Sequence, residues 1–448
     1  MLARPRLVYG RPTYGSPLAP TTMQSSVEQY GITWTFDQEY PVGQFVNGDY
    51  FVVGPVTITD IDPSLDANNR NGTMINPQSS SGQGYDSESS MAFDISLSAQ
   101  APLSIETDSS LMTTVARTTT GTSRIQTAAV LTVLTDTPVV DAFRPSPYGN
   151  DKTIYRWSSV EQRLSLLPNE TPVASTPVDT SYFTDTSQRP WILNGAGWTG
   201  GSLHPVDNMP SWYHREIGRF LANLSTLVLM DISSRDDLAR SLVQLGIDYH
   251  GMSLVAGGTS ATWQWPTIFA GAMLGDSEMA NRYHTGPAWA MGRFHGHLYD
   301  VSVDQLSTVE SSIVPLGYTW TGETIAWRQT TTSSDCYEQE HLHPSEWAAV
   351  SAAQGCSQPL STRETYRQIN SPALIGFVLA ASALSSNSRF SKPTMYTEYA
   401  RRWMAETDET ADVYGTPPVD YLGGGYGTST EAFVDEYWTE HAVEYGLT

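Results

Sequence analysis

The spacing of apolar residues changes once along this chain, near residue 205, and that change limits the possible folds more than any other feature. Upstream, the runs at 31–37 (GITWTFD), 50–62 (YFVVGPVTITDID), 91–97 (MAFDISL) and 125–136 (IQTAAVLTVLTD) are rich in Val, Ile, Thr and aromatic residues. Several alternate apolar and polar, as strands with one buried face do. Turn clusters at Asn47-Gly48-Asp49, 66–72 and 79–84 separate them. Many short strands without helical periods between them predict a β-sandwich rather than βαβ units. Downstream, Ile217, Phe220, Leu221, Leu224, Leu227 and Val228 form one helical stripe. Ser234, three residues before Asp237, opens a second helix with Leu238, Leu242, Leu245 and Tyr249 on its inner face, ending at Gly246 to Tyr249. Pro266 and Pro372 suit the first position of two further helices. The one starting at Pro372 is apolar on every side and so belongs inside the fold. Two more are expected near 395–405 and 430–445, for eight to ten helices in all.

These periods divide the chain into an extended arm (1–25), a β-sandwich domain (26–165), an irregular proline-rich connection (166–205) and a helical domain (206–448). Paired helices whose connecting loops carry Tyr, His, Trp and Gly, as in 242–279, predict an α/α-toroid. A six-pair ring needs twelve helices, so the toroid is complete or incomplete. At 448 residues each part can bury a full core. Net charge is −23, and 22 of the 24 basic residues are arginine, leaving only Lys152 and Lys392. So acidic a surface argues against nucleic acid as a partner. The longest apolar run, 372–384, is too short to span a bilayer, which argues against membrane insertion. The N-terminus lacks the apolar core of a signal peptide. Residues 1–25 are expected to pack on their own domain or to dock on a protein partner, including another copy in a homo-oligomer. Cys336 and Cys356 form neither a disulfide framework nor a zinc pattern, and one bridge or two free thiols both fit. P-loop, dinucleotide and nucleophile-elbow motifs are absent.

Two segments carry a resemblance: 31–56 (GITWTFDQEYPVGQFVNGDYFVVGPV) and 242–279 (LVQLGIDYHG, a paired glycine, then WPTIFAGAMLGDSEM). They resemble a group of two-domain proteins from marine bacteria. More loosely, they are similar to polysaccharide lyases and hydrolases built from a β-sandwich and an α/α-toroid. A phage-borne version of that group fits the lack of an export signal. In the group, the loop after the paired glycine carries a His and a Gly-Arg before Trp-Pro. Here it reads Gly257-Gly258-Thr259-Ser260-Ala261-Thr262-Trp263-Gln264-Trp265-Pro266, without either. The resemblance therefore implies a retained bowl whose reaction is in doubt.

Cleavage of a uronic-acid polymer by β-elimination needs a base, an acid and a group that neutralises the sugar carboxylate. The candidates for acid and base are Tyr213 with His214, Tyr249 with His250, Tyr283 with His284, and His295. The candidates for substrate binding are Trp198, Trp263, Trp265, Arg293, Arg363 and Arg367. Arg363 and Arg367 share one helical face, which fits a carboxylate or sulfate seat and equally an Arg–acid surface network. Surface or capping histidines account for the Tyr–His pairs just as simply. Hydrolysis would need two carboxylates, for which Asp207, Glu216, Asp248 and Glu323 stand near loop or helix ends. His341 and His343, following Glu338 and Glu340, read as a solvated acidic turn or as part of a zinc loop. No cofactor is expected, although a structural divalent cation fits the composition. The expected function is recognition of an acidic cell-surface polysaccharide, with or without depolymerisation, by a tail or head fibre of a virion. A free lyase or hydrolase and a purely structural virion protein are the alternatives. The location is then particle-associated or cytoplasmic.

Overall fold

The computed structural model describes residues 17–78, 83–89, 92–118, 123–194, 202–209, 212, 214–256, 261–281, 297–302, 311–328, 341–346, 349, 370–387, 394–406 and 427–448. Strand β1 (Thr22–Gln29) turns into β2 (Ile32–Gln44) through Tyr30 (φ 54°) and Gly31 (φ 77°). Two left-handed residues at a two-residue turn match the right-handed twist of the strands they join. β1 thus begins four residues inside the stretch read as an arm. The sheet continues with β3 (Tyr50–Val53), β4 (Val56–Asp62), β5 (Thr73–Ile75), β6 (Leu103–Ile105), β7 (Ser109–Ala116) and β8 (Ile125–Leu134). Its order is β5-β7-β8-β3-β2-β4-β6, with β1 also paired to β2. Only β3 and β8 run parallel, Tyr50 opposite Leu131. The long β2 pairs with β4 through residues 33–36 and with β3 through residues 42–44, and the mixed sheet curls about it. In the run read as a strand at 91–97, the described residues 92–97 form none. Asp94 accepts the Ser96 N–H and starts a single 3₁₀ turn at Ile95–Leu97.

Strand β8 is the boundary between two cores. Ala129, Leu131 and Val133 face a cluster with Trp34, Phe36, Ile58 and Ile105 inside the curled sheet. Their neighbours Ala128 and Val130 face a larger cluster that continues into the helices. The two-residue period of a strand divides one sequence between two cores.

The helices are α1 (Trp157–Glu161), α2 (Ser181–Gln188), α3 (His214–Leu227), α4 (Arg235–Ala256), α5 (Ala261–Leu274), α6 (Ser277–Asn281), α7 (Pro372–Asn387), α8 (Thr394–Ala405) and α9 (Ala432–His441). Short strand pairs form at Ile192–Asn194 with Ser202–His204, and at His297–Asp300 with Ile325–Arg328. The stripe from Ile217 to Val228 is buried, and Pro372 opens α7 as expected. Two helix boundaries differ from the sequence reading. Helix α4 does not stop at Gly246 but runs on to Ala256. A Cβ on Gly246 would lie 2.1 Å from the Pro266 carbonyl oxygen, so this glycine permits the close crossing of α4 and α5. Pro266 lies inside α5, early enough to remove only one backbone bond. The connection at 166–205 is also more regular than expected. It contains α2, held by Phe183 stacked on Phe220 of α3 at 5.4 Å.

Sheet and helices are joined by a buried charge cluster. The Arg144 guanidinium donates through Nε to Asp49 beside β3 and through Nη2 to Asp248 of α4 at 2.6 Å. All three side chains are at most 2% exposed. Gln29 and Asn47 donate to the Asp49 carboxylate, and Gln244 donates to the other Asp248 oxygen. Burial nevertheless pushes the Asp248 carboxyl up, against the pull of Arg144. Removing one member of such a cluster costs about 3–5 kcal/mol, because it strands an uncompensated charge.

Lys152 lies beside this cluster and donates to the carbonyls of Ser146 (2.7 Å), Pro147 (3.3 Å) and Gly149 (2.9 Å). Burial, reinforced by the Arg144 charge, lowers its pKa to about 7. The unfolded value is about 10.4, so folding favours the neutral amine. The resulting stabilisation is complete above the unfolded value and is lost as pH falls through 7. Urea unfolding of the parent and of Lys152→Met at pH 7 and at pH 9 tests this. The parent is expected to gain about 2 kcal/mol more than the variant on going to pH 9. Equal gains would show that Lys152 stays charged throughout.

Candidate functional site

A cleft of about 550 Å³ opens between α2, α3, the start of α9 and the loop at 175–179. Its main wall is one flank of α3. Trp212, Glu216, Arg219, Phe220 and Asn223 follow one another at helical spacing and line the cleft together. The apolar stripe of the same helix is fixed in the core, so this flank has a set orientation. Opposite stand Asp179, Tyr182 and Phe183, and α9 contributes Glu431, Ala432 and Phe433. The loop wall is tied down from outside, because Glu436 of α9 accepts both the N–H and the hydroxyl of Ser175. Thr180, at the head of α2, shares a 2.6 Å hydroxyl bond with Ser234, at the head of α4.

The cleft combines exposed aromatic faces with unsatisfied polar groups. Tyr182 is 54% exposed, yet its ring is braced edge-on by Phe183 (5.4 Å) and Phe220 (5.8 Å). Trp212 is half-buried, with its ring 5.6 Å from Phe220. Partial burial, and then the Glu431 charge, push the Tyr182 hydroxyl up, so it remains a protonated donor. Asn223 is only 8% exposed and lines the cleft, and its side chain makes no hydrogen bond to the described residues. The Nε of Arg219 is likewise buried without a partner. Burial pulls the Arg219 pKa down, while the charges of Glu216 and Glu431 pull it up. Arg215 engages Glu216, and Asp179 accepts the Ser181 N–H at 2.8 Å. Glu431, just before α9, makes no side-chain cap bond. It also forms no ion pair with Arg219 within 4.0 Å.

The residues singled out in the sequence are placed elsewhere or lie outside the description. Tyr249 is buried against Trp191, with its hydroxyl 3.4 Å from the Leu203 carbonyl. Trp265 is wholly buried and donates to Ser225 at 2.8 Å, so neither ring has a free face. His214 opens α3, His250 is partly exposed on α4, and Trp263 falls in the first turn of α5. Tyr213, Tyr283, His284, His295, Trp198, Arg293, Arg363 and Arg367 lie outside the described residues, as do Cys336, Cys356 and residues 1–16. Of the four carboxylates considered for hydrolysis, only Glu216 reaches the cleft. Asp207 pairs with Arg117 and Arg189, Asp248 with Arg144, and Glu323 with Arg401. Tyr182, Arg219, Asn223 and Glu431 were not foreseen. The available signal was the polar set Glu216, Arg219 and Asn223, which repeats with Trp212 at helical spacing beside the apolar stripe.

The two histidines of the HxH pair diverge. His341 is buried with its Nδ1 3.5 Å from the Tyr299 hydroxyl, whereas the His343 Nδ1 accepts the Ser345 N–H at 3.2 Å. Among the described residues, Glu170, His441 and Glu444 bring one ligand atom each to within 4.8 Å of one another. Two carboxylates and an imidazole are suitable donors for a divalent cation. The His441 ring also packs on Tyr437 at 4.4 Å.

The Asn223 side chain faces the open cleft and makes no hydrogen bond to the described residues, so Asn223→Ala is expected to change stability by less than about 1 kcal/mol in urea unfolding. A larger loss would show that Asn223 serves the fold and not a ligand. Comparison with models of protein families, with curated proteins and with solved structures finds no match for the chain, so the cleft's own chemistry carries the functional reading.

Proposed function

We propose that this chain recognises a glycan, bound in the cleft between α2, α3 and α9. The observation that carries the proposal is the exposed Tyr182 ring in the same lining as the Asn223 carboxamide, which faces the open cleft. A sugar presents an apolar C–H face and a rim of hydroxyls. The first packs on an aromatic ring and the second needs fixed planar donors and acceptors. Asn223 and Arg219 supply these from α3 and Glu431 from the residue before α9, and about 550 Å³ lies within the usual range of ligand sites. The described lining holds no histidine, so the Tyr–His chemistry of β-elimination has no place in this cleft, and the proposed activity is recognition. The proposal is compatible with a β-sandwich and an incomplete α/α ring. Packing of α4 on α5 and of α3 on α7 supports the ring.

A glycan array probed with the parent and with Tyr182→Ala tests the proposal. Loss of the stacking ring is expected to weaken binding by about 0.5–1.5 kcal/mol, roughly two- to twelvefold. Binding that survives the change undiminished would place the sugar elsewhere.

A further inference from the structure

We infer that the sugar unit held in this cleft is neutral, and that two adjacent hydroxyls bridge Glu431 and Arg219. The inference rests on the glycan reading and narrows it. It departs from the acidic polymer expected from the sequence.

The first argument is charge. Asp179, Glu216 and Glu431 line the cleft with Arg219 as the one cation among the described lining residues. A uronate would bring a fourth carboxylate into a site that already has an acidic excess, on a chain of net charge −23. The single guanidinium is not reserved for it, because Glu216 and Glu431 both act on Arg219.

The second argument is hydrogen-bond demand. Arg219 offers a buried Nε–H with no acceptor, and Glu431 offers a partly exposed carboxylate that makes no side-chain cap bond. The two are close enough to feel each other's charge, yet they do not close into an ion pair within 4.0 Å. A group filling that gap must accept from one side and donate to the other. A hydroxyl does both, and a vicinal pair has the reach to do so on two neighbouring atoms. Asn223 adds a donor and an acceptor at the cleft floor. A carboxylate would satisfy Arg219 and repel Glu431, while an amine would satisfy Glu431 and repel Arg219. A neutral diol satisfies both, and it leaves its ring face free for Tyr182.

The test is calorimetric titration of the full chain with maltohexaose, cellohexaose, laminarihexaose and mannohexaose, against hexagalacturonate and hexamannuronate. The parent, Glu431→Gln and Arg219→Met are compared after thermal unfolding shows that each is folded. At least one neutral hexasaccharide should bind the parent, and each substitution should weaken it by about tenfold. The uronates should bind the parent more weakly and gain affinity in Glu431→Gln. Uronates that bind the parent best would overturn the neutral class while leaving glycan recognition intact. Neutral binding unchanged in both variants would overturn the bridge. Silence from both kinds of sugar would remove the glycan reading itself.

Discussion

Arg144 lies between Asp49 from the sheet and Asp248 from α4, with all three side chains sealed from solvent. An isolated ion cannot persist in such a place, so each member depends on the other two and on the amides of Gln29, Asn47 and Gln244. The cluster sets where α4 sits against the sheet. Through the glycine crossing at Gly246 it also sets α5. The alternating residues of β8 extend the same dependence, because a shift of one residue would exchange the two cores. One face of the sheet therefore shares an apolar core with the helices, while the other closes on a core of its own.

The cleft follows from that shared core. The buried stripe of α3 fixes the adjacent flank, which carries Glu216, Arg219 and Asn223, with Trp212 just ahead of the helix. Phe220 serves both purposes, packing in the core and bracing Tyr182 and Trp212. Helix α2 is held at its head by Thr180 and Ser234, and the cleft's rim is held by Glu436. With its backbone fixed on three sides, the cleft keeps the buried Arg219 Nε without a partner rather than collapsing around it. Unpaired polar groups on a rigid frame carry a stability cost that a ligand removes, which is how preorganised sites gain affinity.

The sequence showed the elements better than the site. Strand texture before residue 136 and helical texture after 210 were legible because the period of apolar residues is a local signal. Helix starts at Ser234 and Pro372 were legible from their capping chemistry. The true extent of α4 was not, because Gly246 looks like a helix stop until its role under Pro266 is seen. The segment read as an irregular connection hid α2, since TSYFTDTSQ has little helical pattern of its own and depends on Phe183 meeting Phe220. The same dependence hid the cleft. Tyr182, Arg219 and Glu431 are distant in sequence and meet only through packing. Tyr249 and Trp265 drew attention as aromatic residues beside His or Gly, yet both fill the core. Aromatic type marks a candidate sugar platform, and only exposure separates a platform from a core residue.

Hydrogen–deuterium exchange of the chain, with and without a bound neutral hexasaccharide, tests the central claim most directly. Protection is expected in peptides covering 175–183, 212–223 and 429–433, the three segments that meet at the cleft, while the curled sheet is unchanged. Protection confined to other segments, with these three unaffected, would contradict the account.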